Sequence, residues 1–294
     1  MAVNARAIPM PEDDWLQCEA VAREHGRSFY VASKFLPAER RRAIHAIYAF
    51  CRTADDIVDR AISPIEASAR LDAWARQIEN PVDLVPRVFA IARDRFGIPD
   101  APARELIEGV RRDLEPRLYA TWPELRDYCH GVAGTVGLMA APVLGCQDGK
   151  ALRHAADLGI AMQLTNILRD IAEDAARGIV YLPTFELESF GCDPDSVLAG
   201  RPTGRFRELI AFQIDRARIL YAEARRGIPA LSPAGRFTTL AASHFYAGIL
   251  KEIEAQGYDP FRGRARVSSS KKVRSLPRIA ISFVQLSVRS AASL

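Results

Sequence analysis

Asp55 and Asp59 stand four residues apart in Tyr48-Ala49-Phe50-Cys51-Arg52-Thr53-Ala54-Asp55-Asp56-Ile57-Val58-Asp59. On a helix such a pair lies about 40° apart around the axis and one turn apart in height. Two carboxylates so placed repel each other unless a cation sits between them. Hard oxygen donors suit Mg²⁺ rather than zinc, with Mn²⁺ as a substitute. A second segment, Gln163-Leu164-Thr165-Asn166-Ile167-Leu168-Arg169-Asp170-Ile171-Ala172-Glu173-Asp174, repeats the arrangement. There Asn166, Asp170 and Asp174 recur every fourth residue as a polar stripe, and Gln163 extends the same face.

With 36 acidic residues in the chain, about four such acid pairs are expected by chance on helices, mostly on solvated faces. Asp55/Asp59 alone is of that kind. The second stripe differs because Leu158, Ile160, Ala161, Leu164, Ile167, Leu168 and Ile171 make its helix apolar around much of its circumference. Carboxylates on a helix built for burial carry a desolvation cost that a metal or charge partner must offset. Mg²⁺ takes few protein ligands and completes its octahedron with water and phosphate oxygens. Two facing carboxylate helices would therefore bind a diphosphate through bridging ions, and those ions would neutralise charge on departing pyrophosphate. Departure from an allylic carbon leaves a carbocation, whose chemistry needs a dry apolar cavity.

The elements that must position these residues read as helices. Ala43, Ile44, Ile47, Phe50 and Cys51 form the apolar stripe of an amphipathic helix that starts at Pro37-Ala38. Residues 152–171 predict a long, largely buried central helix. Breaks at Pro81 and Pro86, Gly97 to Pro99, Gly145 to Gly149, Gly178 to Pro183, Gly200 to Gly204, Ser232-Pro233 and Gly257 to Pro260 leave segments of roughly 12 to 25 residues, a helical-bundle rhythm. There is no repeat and no run of alternating strands. The expected architecture is one all-α domain over the 294 residues, with 1–20 an N-terminal extension and 275–294 a C-terminal tail.

Composition narrows the class. Apolar residues are 49% and charged residues 26% of the chain, the balance of a globular protein with a sizeable core. The net charge of +4 is too small and too dispersed for nucleic acid, and is compatible with an anionic ligand or membrane surface. Cys18, Cys51, Cys129, Cys146 and Cys192 form no metal-binding spacing and read as buried thiols of a reducing compartment. The N-terminus has the character of neither a signal nor a transit peptide, and the apolar stretch 279–294 is short and holds Arg289. A cytoplasmic protein, peripheral to the inner face of the cell membrane, is expected.

At these residues the sequence resembles the squalene/phytoene synthase family of head-to-head prenyl transferases. The resemblance rests on Ala46-Ile47-Tyr48 to Arg52 before the first acidic pair, on Gln163 to Asp174, and on Arg177-Gly178-Ile179-Val180-Tyr181-Leu182-Pro183 after it, with order and spacing kept. It extends from His25 to about Lys272. Gln213 to Arg218, Ile249 to Asp259 and Arg264 to Ser268 resemble the phytoene-forming branch. That resemblance implies a prenyl-synthase helical bundle and condensation of two geranylgeranyl diphosphates through a prephytoene diphosphate. The alternative is a sister reaction on farnesyl diphosphate, giving presqualene diphosphate or dehydrosqualene. No Gly-rich dinucleotide loop is present, so NADPH is not expected.

The resemblance implies roles for individual residues. Asp55, Asp59, Asn166, Asp170 and Asp174 would bind metal, with Tyr48 and Arg52 beside them in the catalytic set. Arg27, Ser28, Phe29, Gln163, Arg169, Tyr246 and Lys271 would meet substrate. Several of the residues in and around this set have a structural alternative. Arg52 could pair with Asp55 or Asp56, and Arg169 with Glu173. Tyr48 and Tyr246 could be core tyrosines rather than faces turned to a carbocation. Asp113 could pair with the neighbouring arginines, and Lys271 and Lys272 could be a solvated basic run. Gly134-Thr135-Val136-Gly137 would narrow a helix for a lipid chain or permit close helix packing. Ser33, one turn after Phe29, would leave room for a longer prenyl tail.

Overall fold

The structure, a computed structural model, describes residues 12–115, 118–146 and 148–291. Residues 1–11 of the expected extension and 292–294 of the expected tail lie outside the described residues. The described chain holds fourteen α-helices and no strand. They are α1 (Glu12–His25), α2 (Arg27–Ser33), α3 (Ala38–Asp59), α4 (Pro64–Arg76), α5 (Leu84–Phe96), α6 (Asp100–Arg111), α7 (Trp122–Cys129), α8 (Thr135–Val143), α9 (Gly149–Ala176), α10 (Thr184–Ser189), α11 (Pro194–Leu198), α12 (Phe206–Arg225), α13 (Pro233–Ala255) and α14 (Ser269–Ala291). α1 packs on α3 and α14 on α13, so the described parts of the extension and the tail are helices docked on the bundle.

Two helices organise the rest. α3 begins immediately after Pro37, and its stripe of Ala43, Ile44, Ile47, Phe50 and Cys51 is buried. Phe50 stacks between Phe89 and Trp74, tying α3 to α5 and α4. α9 is the central helix that its wide apolar surface predicts. It is flanked by α7, α8, α12 and α13, and it buries Ile160, Ala161, Leu164, Ile167, Leu168 and Ile171.

α7 runs into α8 through a π-helical turn at His130–Gly134, and this stretch lies against α9 at close range. A Cβ on Gly137 would fall 2.1 Å from the Ala155 carbonyl oxygen, and one on Gly159 2.1 Å from that of Ala133. Glycine is required at both positions because a backbone atom occupies the space. The Gly134 to Gly137 segment therefore serves close helix packing. Val136 and Gly137 also line the cavity that α8 and α9 enclose.

Candidate active site

α3 and α9 each present one continuous face to a cavity of about 610 Å³. On α3 that face runs Ile44, Tyr48, Cys51, Arg52, Asp55, Val58, Asp59, and on α9 it runs from Ala151, Ala155 and Leu158 through Met162, Gln163 and Asn166 to Asp170 and Asp174. Both faces are apolar at the helix N-terminal end and acidic at the C-terminal end. From Ile44 to Asp55 the helix rises about 16 Å, and from Ala151 to Asn166 about 22 Å. Val132, Val136, Ala140, Ala141 and Leu144 close the apolar part from the α7–α8 side. The result is a deep apolar pocket with a charged end.

At that end the acids are held by arginines. Arg177, in the turn after α9, donates to Asp59 Oδ1 at 2.7 Å, and Arg52 pairs with Asp56 and lies 3.8 Å from Asp59. Arg169 grips the neighbouring Asp170 with two donors, at 2.7 and 2.5 Å. Arg264, from the loop before α14, reaches the same carboxylate at 2.9 Å and Glu173 at 3.1 Å. Arg169 thus pairs with Asp170, and Glu173 belongs to Arg264. Arg52 takes the intrahelical partner open to it while its Nε stays buried without a partner.

Asp113 completes the charged end from the turn after α6. Tyr128 donates to it at 3.0 Å and Tyr181 at 3.4 Å, and the two rings stack at 5.2 Å. The adjacent arginines turn elsewhere, Arg111 to Asp72 and Arg112 to Asp127. Burial pushes the Asp113 carboxyl up to about 6, against the two tyrosine hydrogen bonds. Burial, opposed by Arg52 and reinforced by Asp59, Asp113 and Asp56, pushes Asp55 up to about 7. Asp174 rises to about 7 through burial and then the charge of Asp170. These three carboxyls are raised chiefly by burial. At this end six acids (Asp55, Asp59, Asp113, Asp170, Glu173 and Asp174) line the cavity against four arginines, a shortage of positive charge.

That shortage is the test of whether a divalent cation fits. The donors are carboxylate and amide oxygens, and Asn166 Oδ1 is buried with no hydrogen-bond partner, while its Nδ2 donates to Gln163 at 3.3 Å. The nearby Cys51 thiol is held protonated by burial. Among the described residues no three His, Cys, Asp or Glu side chains converge as a cage. A hard cation with few protein ligands, completed by water and phosphate oxygens, matches this set.

The remaining expected residues divide. Tyr48 lines the cavity and stacks on Phe29 at 5.4 Å, and Tyr246 lines it from α13. Ser28 accepts a hydrogen bond from Lys272 at 2.7 Å. Lys271 points outward to Glu252 at 2.6 Å, because one step along α14 turns a side chain by about 100°. Arg27 is exposed at the start of α2, outside the cavity lining, and its charge lowers the Lys272 ammonium after burial does. Arg177, Tyr181 and Arg264 were visible only as parts of sequence segments. Tyr128 gave no signal, since it reaches Asp113 only through the packing of α7.

This arrangement has known counterparts. Residues 22–271 match the profile of the squalene/phytoene synthase family. The chain belongs to that family. It is 42% identical over 287 residues to the chloroplastic phytoene synthase 1 of Solanum lycopersicum, covering 92% of this chain and 70% of the relative. It is 41% identical to the chloroplastic phytoene synthase 1 of Zea mays, covering 89% of this chain and 66% of that one. Among solved structures it superposes on a dehydrosqualene synthase in complex with ligand, with a TM-score of 0.86, 31% identity and coverage of 93% of this chain and 97% of the other. The family bundle is therefore the isoprenoid synthase fold, and the chain is a prenyltransferase. Among the described residues no helix is long and apolar enough to cross a membrane.

Proposed function

We propose that this chain joins two geranylgeranyl diphosphates head to head, through prephytoene diphosphate, into phytoene, with release of both pyrophosphates. The observation that carries the reading is the polarity gradient shared by α3 and α9, with oxygen donors at one end of the cavity and an apolar wall along the rest. Its likeness to proteins named phytoene synthase supports the reading with the C20 substrate over that with the C15 one.

Asp55, Asp59, Asn166, Asp170 and Asp174 would hold Mg²⁺, or Mn²⁺ in its place. Such ions, when bound, neutralise charge on the departing pyrophosphate. The arginines now on carboxylates, Arg52, Arg169, Arg177 and Arg264, lie where phosphate oxygens can replace those partners. Lys272 and Ser28, hydrogen-bonded to each other next to the cavity-lining Phe29, would add a donor pair on the α2 side. Phe29, Val132, Val136, Leu158 and Met162 keep water from the prenyl chains. Tyr48 and Tyr246 offer ring faces to a carbocation in that dry space. The product retains no hydride from a reductant, so NADPH is not required.

Purified protein supplied with geranylgeranyl diphosphate and Mg²⁺ should yield a C40 hydrocarbon and pyrophosphate. No such product, or wild-type turnover by Asp170→Ala, would refute the reading. Turnover of the C15 and C20 diphosphates side by side separates it from a farnesyl-using enzyme.

A further inference from the structure

α14 has an apolar surface wider than the bundle covers. Leu276, Ile279, Phe283 and Leu286 face inward and pack with Leu240, Ala242 and Phe245 of α13. Val273, Ile281, Val284 and Val288 face outward and are 63%, 58%, 57% and 64% exposed. At 100° per residue these four lie within about 80° of arc. Four large apolar side chains in one exposed stripe are a patch rather than scattered surface residues. Phe35, itself exposed, continues it through an edge contact with Phe237, which meets Phe283 at 5.7 Å.

The charge beside the stripe has one sign. From Pro260 to Leu294 the sequence has eight Lys or Arg and no Asp or Glu. Arg274 and Arg278 flank the stripe, are exposed, and pair with no acid among the described residues. Behind the helix, burial and then the charges of Lys251, Arg278 and Arg225 hold His244 below the usual histidine range. A helix with an exposed apolar stripe and a purely basic flank fits the boundary between anionic headgroups and acyl chains. A protein partner would need a matching acidic groove, whereas an anionic bilayer supplies both features at once.

We propose that α14 is an interfacial helix that seats the protein on an anionic membrane, with Val273, Ile281, Val284 and Val288 at the acyl boundary and Arg274 and Arg278 among the lipid phosphates. The place of the helix gives the contact a use. Ala32, Met162, Ile228 and Ala242 line the cavity and also belong to the cluster on which the inner face of α14 rests. α14 therefore covers the wall of the apolar pocket from outside, on the side that would face the lipid. Docking rests on the helix face alone, and only this exit route for a water-insoluble product rests on the proposed reaction.

The test is flotation of the full chain with phosphatidylcholine vesicles, with and without phosphatidylglycerol. The protein should float with the anionic vesicles, release at high salt, and float poorly with the neutral ones. Ile281→Ser with Val284→Ser should lower vesicle affinity about tenfold or more, through loss of buried apolar area. Arg274→Gln with Arg278→Gln, exposed changes that leave the core untouched, should lower it about tenfold and erase the preference for anionic lipid. Circular dichroism melts and turnover of detergent-dispersed substrate should stay as in the wild type. Failure of the wild type to float, or unchanged flotation of both variants, overturns the proposal. A dimer in sedimentation that the serine pair dissociates would assign the face to a second copy and overturn it too. Vesicle binding is read without turnover, so it stands or falls apart from the proposed reaction.

Discussion

The Arg177 guanidinium donates to Oδ1 of Asp59 at 2.7 Å and so joins the ends of the two acidic helices across the mouth of the cavity. The pair is half open to solvent, with side chains 56% and 38% exposed. A pair of this kind contributes little to folding, within about 0.5 kcal/mol. If the same guanidinium passes to pyrophosphate during the reaction, its charge-assisted bond there is worth more. Arg177→Gln should therefore melt like the wild type while kcat/KM falls between about tenfold and a hundredfold. Unchanged kcat/KM would confine Arg177 to a surface ion pair.

Asp55 sets stability against function. Its carboxyl is raised from the ordinary carboxylate range to about 7, chiefly by burial. The native state therefore holds a proton that the unfolded chain has released between about pH 4 and 7. The unfolded state binds fewer protons in that window, so stability falls as pH rises through it, and the penalty is complete above pH 7. Asp55→Asn removes the penalty. Metal-free, the variant should be more stable than the wild type at pH 8 by about 2 kcal/mol, less than the full shift because the side chain faces a cavity open to solvent. Near pH 4 the two should melt together. Mg²⁺ with pyrophosphate should raise the wild-type Tm and leave the variant's unchanged, and its turnover should be lost. A variant no more stable at pH 8 would mean that Asp55 is not a strained anion.

The acidic helices were legible because their ligand-type residues repeat every fourth position in one segment. The burial of α9 was legible because apolar residues surround its polar stripe. What sequence could not show was which cation meets which acid. Arg169 was as free to pair with Glu173 as with Asp170, and in the fold Arg264, from a loop ninety-four residues beyond Asp170, pairs with both acids while Arg169 holds Asp170 alone. Lys271 and Lys272 are chemically alike, and only the rotation of α14 selects Lys272 for Ser28. Tyr128 and Asp113 sit on separate elements fifteen residues apart and meet because α6 packs through glycines on the π-helical turn that follows α7, a Cβ on Gly109 falling 2.7 Å from the Gly131 carbonyl carbon. Long-range pairing and helix rotation are tertiary facts, and they decide most of the electrostatics here.

Asn166 offers a probe of the ion alone. Among the described residues its Oδ1 has no partner, so losing it costs the apo fold little, and the side-chain bond sacrificed there is the 3.3 Å one to Gln163. Asn166→Ala should shift the melt by less than about 1 kcal/mol. The Mg²⁺ concentration for half-maximal turnover should rise about tenfold or more. A metal titration that matches the wild type would remove Asn166 from the donor set.

Helix spacing around the cavity has its own test. Gly159→Ala puts a methyl 2.1 Å from the Ala133 carbonyl oxygen, which can move only if the π-helical turn before α8 leaves α9. The expected cost is about 3 kcal/mol, read as a lower Tm or denaturation midpoint. Gly149, at the start of the same helix, meets nothing within 4 Å, so Gly149→Ala should be neutral or slightly stabilising. Equal effects of the two changes would show that close approach is not what glycine supplies.

Ser33 bears on the length of the prenyl chain. It lines the cavity from α2, and its Oγ bonds His45 Nε2 and the Tyr30 carbonyl, each at 2.8 Å. Burial holds His45 down at about 4, so the ring is neutral at pH 7 and the contact adds no charge to the apolar wall. His45 and Ile44 lie some three turns before Asp55 on α3, which places Ser33 about 15 Å along that helix from the acidic end, in the apolar part of the cavity. A larger side chain there should shorten the pocket without touching the diphosphate end. Ser33→Leu should lower turnover of geranylgeranyl diphosphate about tenfold or more while leaving that of farnesyl diphosphate within a few fold, so that a mixed-substrate assay shifts from C40 toward C30 product. Equal losses on both substrates would place Ser33 away from the tail. An unchanged product ratio in a folded variant would move the length limit to another wall of the cavity.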